Sequence, residues 1–425
     1  MFLKKNKNIA IFASNSAWLL FDKFYRLGLG LFVSVWVARY LGPELFGELA
    51  YVISAVIFFQ ALSRVGLDGV LVRELSLKPK NSNELIGTAF VIKLFAGVFS
   101  YALAFLLFYF FETFDSTILM VLVSISLLFQ SMDILELWFQ SQSKNKSSVI
   151  AKLIAYTLVN IGRVLLIFTE QELIYFALFT GLEMFFSSVA LAFIYSRSDS
   201  FFNWKLSVDL AKKLIRESWP YLLSSLSIVL YMRVDQLMVK NLLSPGALGL
   251  YAAGVAISVQ LSFVPTIIQR TITPFITRKK VESEEQYQSL LKKIFWVFGI
   301  LGWLVCIPFY FFSELLIVLL YGEAYSGASE VLAIHIFTNL FINMGIAQTI
   351  WMVLEKKGKL ALYRTLIGLC VCISSNLVLI PQFGIVGAAI SAVLAQASQA
   401  VLSNIILAPD IFLLQVKSLV FIKAK

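Results

Sequence analysis

Residues Ala38–Tyr51 read ARYLGPELFGELAY, and Asn241–Ala253 read NLLSPGALGLYAA. Shifted by 202 residues, Leu41 meets Leu243, Pro43 meets Pro245 and Gly47 meets Gly249. Each copy sits at a turn between two long apolar runs. Proline fixes the turn and glycine lets it close. The pair predicts a chain made of two matched halves. An even number of membrane spans separates the copies, so the halves share one orientation and are related by a pseudo-twofold axis along the membrane normal.

The runs around these turns set the class. The chain has 425 residues, 59% of them hydrophobic and only 14% charged. A soluble domain is nearer one quarter charged, and the mean hydropathy of +0.85 is that of an integral membrane protein. The basic start, MFLKKNKN, precedes an apolar run too long for a cleaved signal peptide, so it reads as a retained first span. Cys306, Cys370 and Cys372 lie in apolar segments and form no disulfide or metal framework.

About 20 residues of helix cross about 30 Å of hydrocarbon. On that length the chain divides into twelve spans, at residues 10–40, 47–72, 85–111, 117–141, 148–168, 173–196, 217–241, 247–275, 294–313, 328–354, 361–380 and 384–408. With the amino terminus inside, the inner loops hold 24 of the 35 Lys and Arg and the outer loops hold two, Arg39 and Lys240. That bias puts both termini in the cytoplasm. The net charge of +10 is then topology and anionic-lipid contact, with no nucleic-acid partner needed. The expected organisation is an N-terminal six-helix bundle (1–200), an amphipathic linker at the cytoplasmic surface (201–216), a C-terminal six-helix bundle (217–408) and a basic tail (409–425).

Charges inside the spans are costly, at roughly 2.5–3.5 kcal/mol each on insertion scales, so they face protein or water. The stretch FDKFYRLGLG, Phe21–Gly30, carries three of them in the first span. The deepest cations are Lys23, Arg26, Arg64, Arg163 and Arg233; Lys93 and Arg270 are shallower, and Lys152 and Arg364 can snorkel to the interface. The anions are Asp22, Asp68, Asp133, Glu136, Glu183 and Asp235. Structural pairing is the plain alternative, since Asp22 and Arg26, and Arg64 and Asp68, are four apart. The concentration of these charges in the first half and in spans 7 and 8 points instead to a wet cationic chamber. Lys23, Arg26, Arg64, Arg163 and Arg233 are the candidates to bind a pyrophosphate, which arginine holds bidentately. Asp22, Glu183 and Asp235 are candidates for proton or sodium coupling. His335, Asn339 and Asn343 line up four apart on span 10 and are candidate sugar contacts, with helix–helix hydrogen bonding as the plain alternative.

Several chemistries are excluded by what is missing. There is no phosphate-binding Gly-x-x-x-x-Gly-Lys loop, no His-Glu-x-x-His and no soluble domain to hold a nucleotide sugar. Asp133-x-x-Glu136 is a lone carboxylate pair. The chain reads as a transporter without cofactor, driven by a gradient or by substrate equilibration, and not as an enzyme.

At VARYLGPELFGELAYVIS, LSRVGLDGVLVREL, ESWPYLLSSLSIVLYMRVDQLMVKNLLSPGALGLYAAGVAIS, LLYGEAYSGASEVLAI and LIPQFGIVGAAISAVLAQ the sequence resembles the polysaccharide transporter family. These are the Wzx-type oligosaccharide flippases of the multidrug, oligosaccharidyl-lipid and polysaccharide exporter superfamily. The likeness runs from span 1 to span 12. It implies two six-helix bundles in a V around a central cavity. It implies alternating-access transport of undecaprenyl-pyrophosphate-linked oligosaccharide across the bacterial cytoplasmic membrane, for O-antigen, capsule or exopolysaccharide. It further implies a monomer working with a polymerase and a chain-length regulator. Only Arg233 and Asp235 carry over by motif. The alternatives are a multidrug or peptidoglycan-precursor exporter of the same superfamily and, in another class, a membrane polymerase or glycosyltransferase.

Overall fold

The computed structural model describes residues 2–421, with side chains from Ala17 onward except Leu19. Lys423 and Lys425, and the side chains of Lys4, Lys5 and Lys7, lie outside the described residues. Every regular element among the described residues is helical. The first eight helices are α1 (Phe2–Ser63), α2 (Leu67–Leu77), α3 (Ser82–Phe111), α4 (Phe114–Phe129), α5 (Ile134–Ser141), α6 (Asn145–Phe168), α7 (Leu173–Ser196) and α8 (Val208–Leu242). Then come α9 (Pro245–Leu261), α10 (Phe263–Glu282), α11 (Glu284–Phe311), α12 (Ser313–Tyr321), α13 (Ala328–His335), α14 (Thr338–Leu354), α15 (Gly358–Ala397), α16 (Asn404–Leu407) and α17 (Pro409–Leu419).

Among the described residues, ten helical stretches are long and apolar enough to cross a membrane. Two are double length, Leu20–Leu77 with 58 residues and Gly358–Leu407 with 50. Each is broken at a glycine in the left-handed region, Gly42 at φ 72° and Gly384 at φ 61°. A side chain strains there and glycine does not. The second break is a reversal: a Cβ on Gly387 would strike the carbonyl of Leu379. Eight residues apart on a straight helix those atoms would be about 12 Å apart. Splitting both stretches turns the ten into twelve, so the fold is all-α with ten to twelve crossings.

The chain divides into two compact units, Met1–Leu41 with Val52–Val229, and Gly42–Tyr51 with Leu230–Lys425. The core of the first is built from Leu67, Leu71, Ile134, Trp138, Phe139 and Tyr195, all buried. In it α4 and α6 pack on α7, and α3 on α4. The core of the second gathers Tyr287, Phe295, Phe298, Met344, Ile350 and Trp351. There α14 packs on α11 and α15, and α13 on α9.

The division places residues 42–51 in the second unit and 201–229 in the first, and two segments expected outside the bundles carry helix. Residues 208–216 of the expected surface linker are the opening turns of α8, with Leu214 fully buried in the first core. Ahead of them, Trp204 donates to the Tyr195 hydroxyl at 3.0 Å and the Lys205 amide to the Asn83 carbonyl at 3.2 Å. The Ser207 amide also donates to Thr88 Oγ1 at 3.1 Å, so the segment is held against α3. The segment expected as a basic tail contains α17, in which Ile411, Gln415 and Ser418 are buried. Gln415 joins a buried amide cluster with Asn404 and Gln348, at 2.9 and 3.3 Å, and Trp303 donates to the Leu419 carbonyl at 2.9 Å. Net basicity hid a helix face that buries one apolar and two hydrogen-bonded polar side chains.

The two copies of the repeat meet within the second unit. A Cβ on Gly47 would strike the carbonyl of Pro245, and a Cβ on Gly249 the carbonyl of Pro43. The contact is reciprocal, as a local twofold relation between the copies requires.

Glu355, in the turn after α14, accepts from the Lys280 ammonium and from the Tyr287 hydroxyl. The Lys280 hydrogen bond holds its carboxyl below the usual range near 4.5. A lowered folded value stabilises above the unfolded one and is lost as pH falls through the folded one. Glu355→Gln should therefore flatten the fall of the thermal unfolding midpoint below about pH 4.5. A variant curve parallel to wild type there would remove this pair from the acid response.

Candidate functional site

The first unit encloses a polar cavity of about 310 Å³. Five helical segments supply its wall: Arg26 from α1, Gln60 and Arg64 from the end of α1 and the turn after it, Asp133 and Glu136 around the start of α5, Lys152 and Tyr156 from α6, and Thr180 and Glu183 from α7. The α4–α5 wall is opened by a 3₁₀ turn, Gln130–Asp133, anchored by a hydrogen bond from Ser63 to Gln130 at 2.5 Å. This turn brings Asp133 and Glu136 to the cavity.

Arg26 is its centre. Nε bonds Asp22 Oδ1 at 2.8 Å, one turn back on α1, and Nη1 lies 3.6 Å from Glu183 Oε1. The guanidinium stands 4.6 Å from the Tyr156 ring centroid, and the Tyr156 hydroxyl donates to the Arg26 carbonyl at 3.1 Å. Glu183 also reaches Arg163, with Oε2 to Nη2 at 3.7 Å. Arg163 donates further to Thr180 Oγ1 at 3.2 Å and Asn160 Oδ1 at 3.4 Å. Glu183 thus bridges two arginines. Beside them Lys152 bonds both oxygens of Glu136 at 2.8 Å.

Asp22, Arg26, Arg163 and Glu183 come together as one cluster, and Arg64 lines the same cavity from an exposed position. Lys23 is exposed on α1 and lines no part of the cavity. Three cations, Arg26, Arg64 and Lys152, face three carboxylates, Asp133, Glu136 and Glu183. The lining is thus balanced in charge rather than cationic, and Arg26 and Arg163 each lie beside a carboxylate. Asp68 pairs with buried Lys93 at 2.6 Å rather than with Arg64.

Arg233 and Asp235 belong to the second unit. Asp235 is buried and accepts from the Tyr251 hydroxyl at 2.6 Å and from the Gln236 amide at 2.8 Å. Arg233 donates weakly to Gln236 at 3.4 Å. His335, Asn339 and Asn343 are all buried. His335 Nδ1 shares a hydrogen bond with Ser258 Oγ at 2.9 Å, Asn339 donates to the Ser258 carbonyl at 2.9 Å, and Asn343 to the Asn339 carbonyl at 2.7 Å. His335 and Asn339 tie α9 to α13 and α14 through Ser258, while Asn343 bonds back within α14. Polar groups four apart stitch helices as readily as they line a path.

Gln60, Lys152, Tyr156 and Thr180 line the cavity without being site candidates by sequence. Lys152 had been assigned to the interface. Tyr156 drew no notice, although Lys152, Tyr156, Asn160 and Arg163 recur at helical spacing and mark one face of α6. No group of three or more His, Cys, Asp or Glu able to hold a metal occurs among the described residues.

Residues 12–280 match the family described as "Polysaccharide biosynthesis protein". No curated protein matches the chain in sequence. Among solved structures, the lipid II flippase MurJ in an inward closed conformation is 13% identical, with 96% of this chain and 91% of that one covered at a TM-score of 0.76. An inward-facing multidrug resistance MATE family transporter of the MOP superfamily is 15% identical, with 93% and 96% covered and a TM-score of 0.68. A MOP superfamily transporter from Pyrococcus furiosus is 15% identical, with 98% and 96% covered and a TM-score of 0.59. The likeness to these is one of fold. The chain belongs to the polysaccharide biosynthesis protein family, is a multi-pass membrane protein, and shares its fold with the lipid II flippase and the MATE family transporters.

Proposed function

We propose that this chain flips a lipid whose head group is a pyrophosphate-linked saccharide from the cytoplasmic to the outer leaflet, with both of its termini in the cytoplasm. The observation that carries this reading is Glu183, held between Arg26 and Arg163 in a polar cavity. The carboxylate compensates two guanidiniums. An incoming pyrophosphate offers the same two arginines a stronger bidentate partner, so Glu183 is displaced. Charge balance in the resting site and affinity for a dianion are thus compatible. The saccharide meets Tyr156, Gln60 and Thr180, and the polyprenyl tail stays in lipid. A polymerase and a chain-length regulator are the natural partners if the saccharide is a polymer repeat unit.

On fold alone, the comparisons favour the alternative, a peptidoglycan-precursor or multidrug exporter, over a surface-polysaccharide repeat unit, since the solved relatives are a lipid II flippase and multidrug transporters. A peptidoglycan precursor would present the same pyrophosphate to the same arginines. A cationic drug would instead need an excess of carboxylates, which the cavity lacks.

Proteoliposomes separate these. Fluorescent undecaprenyl-pyrophosphate oligosaccharide, lipid II and ethidium are loaded in turn, and appearance on the opposite side is followed. Movement of either pyrophosphate lipid without ethidium is the expected result, and the preferred lipid names the pathway. Ethidium transport with neither lipid moved would overturn the proposal.

A further inference from the structure

Arg364, which its position near a helix end suggested would snorkel, is only 5% exposed. It lies on α15 in the second unit. Nε donates to the Gln399 carbonyl at 2.8 Å, and Nη1 lies 3.5 Å from Met352 Sδ. None of the described carboxylates forms an ion pair with it. That sets it apart from buried Lys93 and from Arg26, Lys152 and Arg163 in the first unit, each with a carboxylate in reach. A guanidinium taken out of water without a counter-charge asks for an anion.

The surroundings are built to receive one. Arg364 borders a cavity of about 230 Å³ with Thr349, Thr365, Gln396 and Gln399. That is below the usual range for drug-sized ligands, of roughly 300 Å³ upward, and suits a head group. The Tyr231 hydroxyl donates to Gln396 Oε1 at 2.5 Å, which leaves the Gln396 amide nitrogen to donate elsewhere. At Ser398–Leu402 the helix widens into a π turn. Such turns release backbone groups and recur at functional sites. Here the Gln399 carbonyl takes Arg364 Nε and, at 2.9 Å, the Ser403 hydroxyl.

Depth decides which anion. Arg364 is six residues into α15, about 9 Å from its start. Lys356, Lys357 and Lys359 flank that start. This is the level of lipid head groups, not of the membrane centre. Basic pockets between helices at such ends hold anionic lipid phosphates. We propose that the Arg364 pocket seats the phosphate of an anionic phospholipid head group, a site separate from the cavity of the first unit.

The test is lipid binding by the full chain in detergent, read by native mass spectrometry with phosphatidylglycerol, phosphatidylcholine and inorganic phosphate. Wild type should prefer phosphatidylglycerol to phosphatidylcholine. Arg364→Gln should weaken phosphatidylglycerol about tenfold and leave phosphatidylcholine unchanged, with Arg364→Lys between them. If Arg364→Gln fails to fold, Gln396→Leu with Thr365→Val keeps the arginine and should still weaken phosphatidylglycerol several-fold. Equal binding of the two lipids by wild type, or undiminished phosphatidylglycerol binding by the variants, would overturn the site. Inorganic phosphate binding as tightly as phosphatidylglycerol would overturn its assignment to a lipid.

Discussion

Arg26→Ala should cut flipping of pyrophosphate-linked lipid by about ten- to a hundredfold, the range set by losing one charge-assisted hydrogen bond to a charged ligand. Folded yield should stay near wild type. Arg26 is about one-quarter exposed in a polar cavity, so its loss leaves Asp22 and Glu183 within reach of water, and Glu183 keeps Arg163. Arg26→Lys retains the charge and the Tyr156 face but not the two-pronged geometry, and should keep a larger share of activity. Reconstituted transport, normalised to monodisperse protein, checks all three. Equal rates in wild type, alanine and lysine proteins would take Arg26 out of the transport path.

How far the sequence could be read shows at that residue. Depth within an apolar run marks Arg26 as costly to bury, and four-residue spacing marks Asp22 as its partner; both are local and both are legible. Glu183 is 157 positions away in the chain. Its approach depends on the packing of α6 and α7, which spacing does not encode. The same limit explains the errors. Asp68 sits one turn from Arg64 yet pairs with Lys93, because helix packing sets which face meets which. Lys23 is as deep in sequence as Arg26 but lies on the outward face of α1. Arg364 lies near enough to a helix end to suggest an interfacial side chain, yet it is buried and bonds the Gln399 carbonyl in the π turn, a contact 35 positions away that spacing does not encode. Long apolar runs and turn glycines, by contrast, report their own backbone. The span pattern was therefore readable while its cross-chain pairings were not.

The largest stability loss should come from the repeat that revealed the halves. At Gly249 a Cβ would meet the carbonyl of Pro43 with that residue's Cα only 3.0 Å away, and at Gly47 it would meet the Pro245 carbonyl with the Gly249 nitrogen at 2.8 Å. All of these are backbone atoms, so no side chain can swing aside and the helices themselves must part. Overpacking of this kind costs typically 1–3 kcal/mol and occasionally more. Gly249→Val should stand at or above about 3 kcal/mol, because valine adds two methyl groups beyond the clashing Cβ. Gly47→Val should match it, since the contact is reciprocal. The double variant should lose much less than the sum, because one displaced crossing relieves both clashes. Gly69→Ala is the control. A Cβ there meets nothing within 4 Å, and alanine in a helix gains roughly 0.5–1 kcal/mol over glycine. Thermal unfolding of purified protein in one detergent gives the ranking. A Gly249→Val protein melting with wild type would mean that the two turns do not touch as the shared Pro-x-x-x-Gly pattern places them. A double variant as costly as both singles combined would mean that each glycine serves a contact of its own.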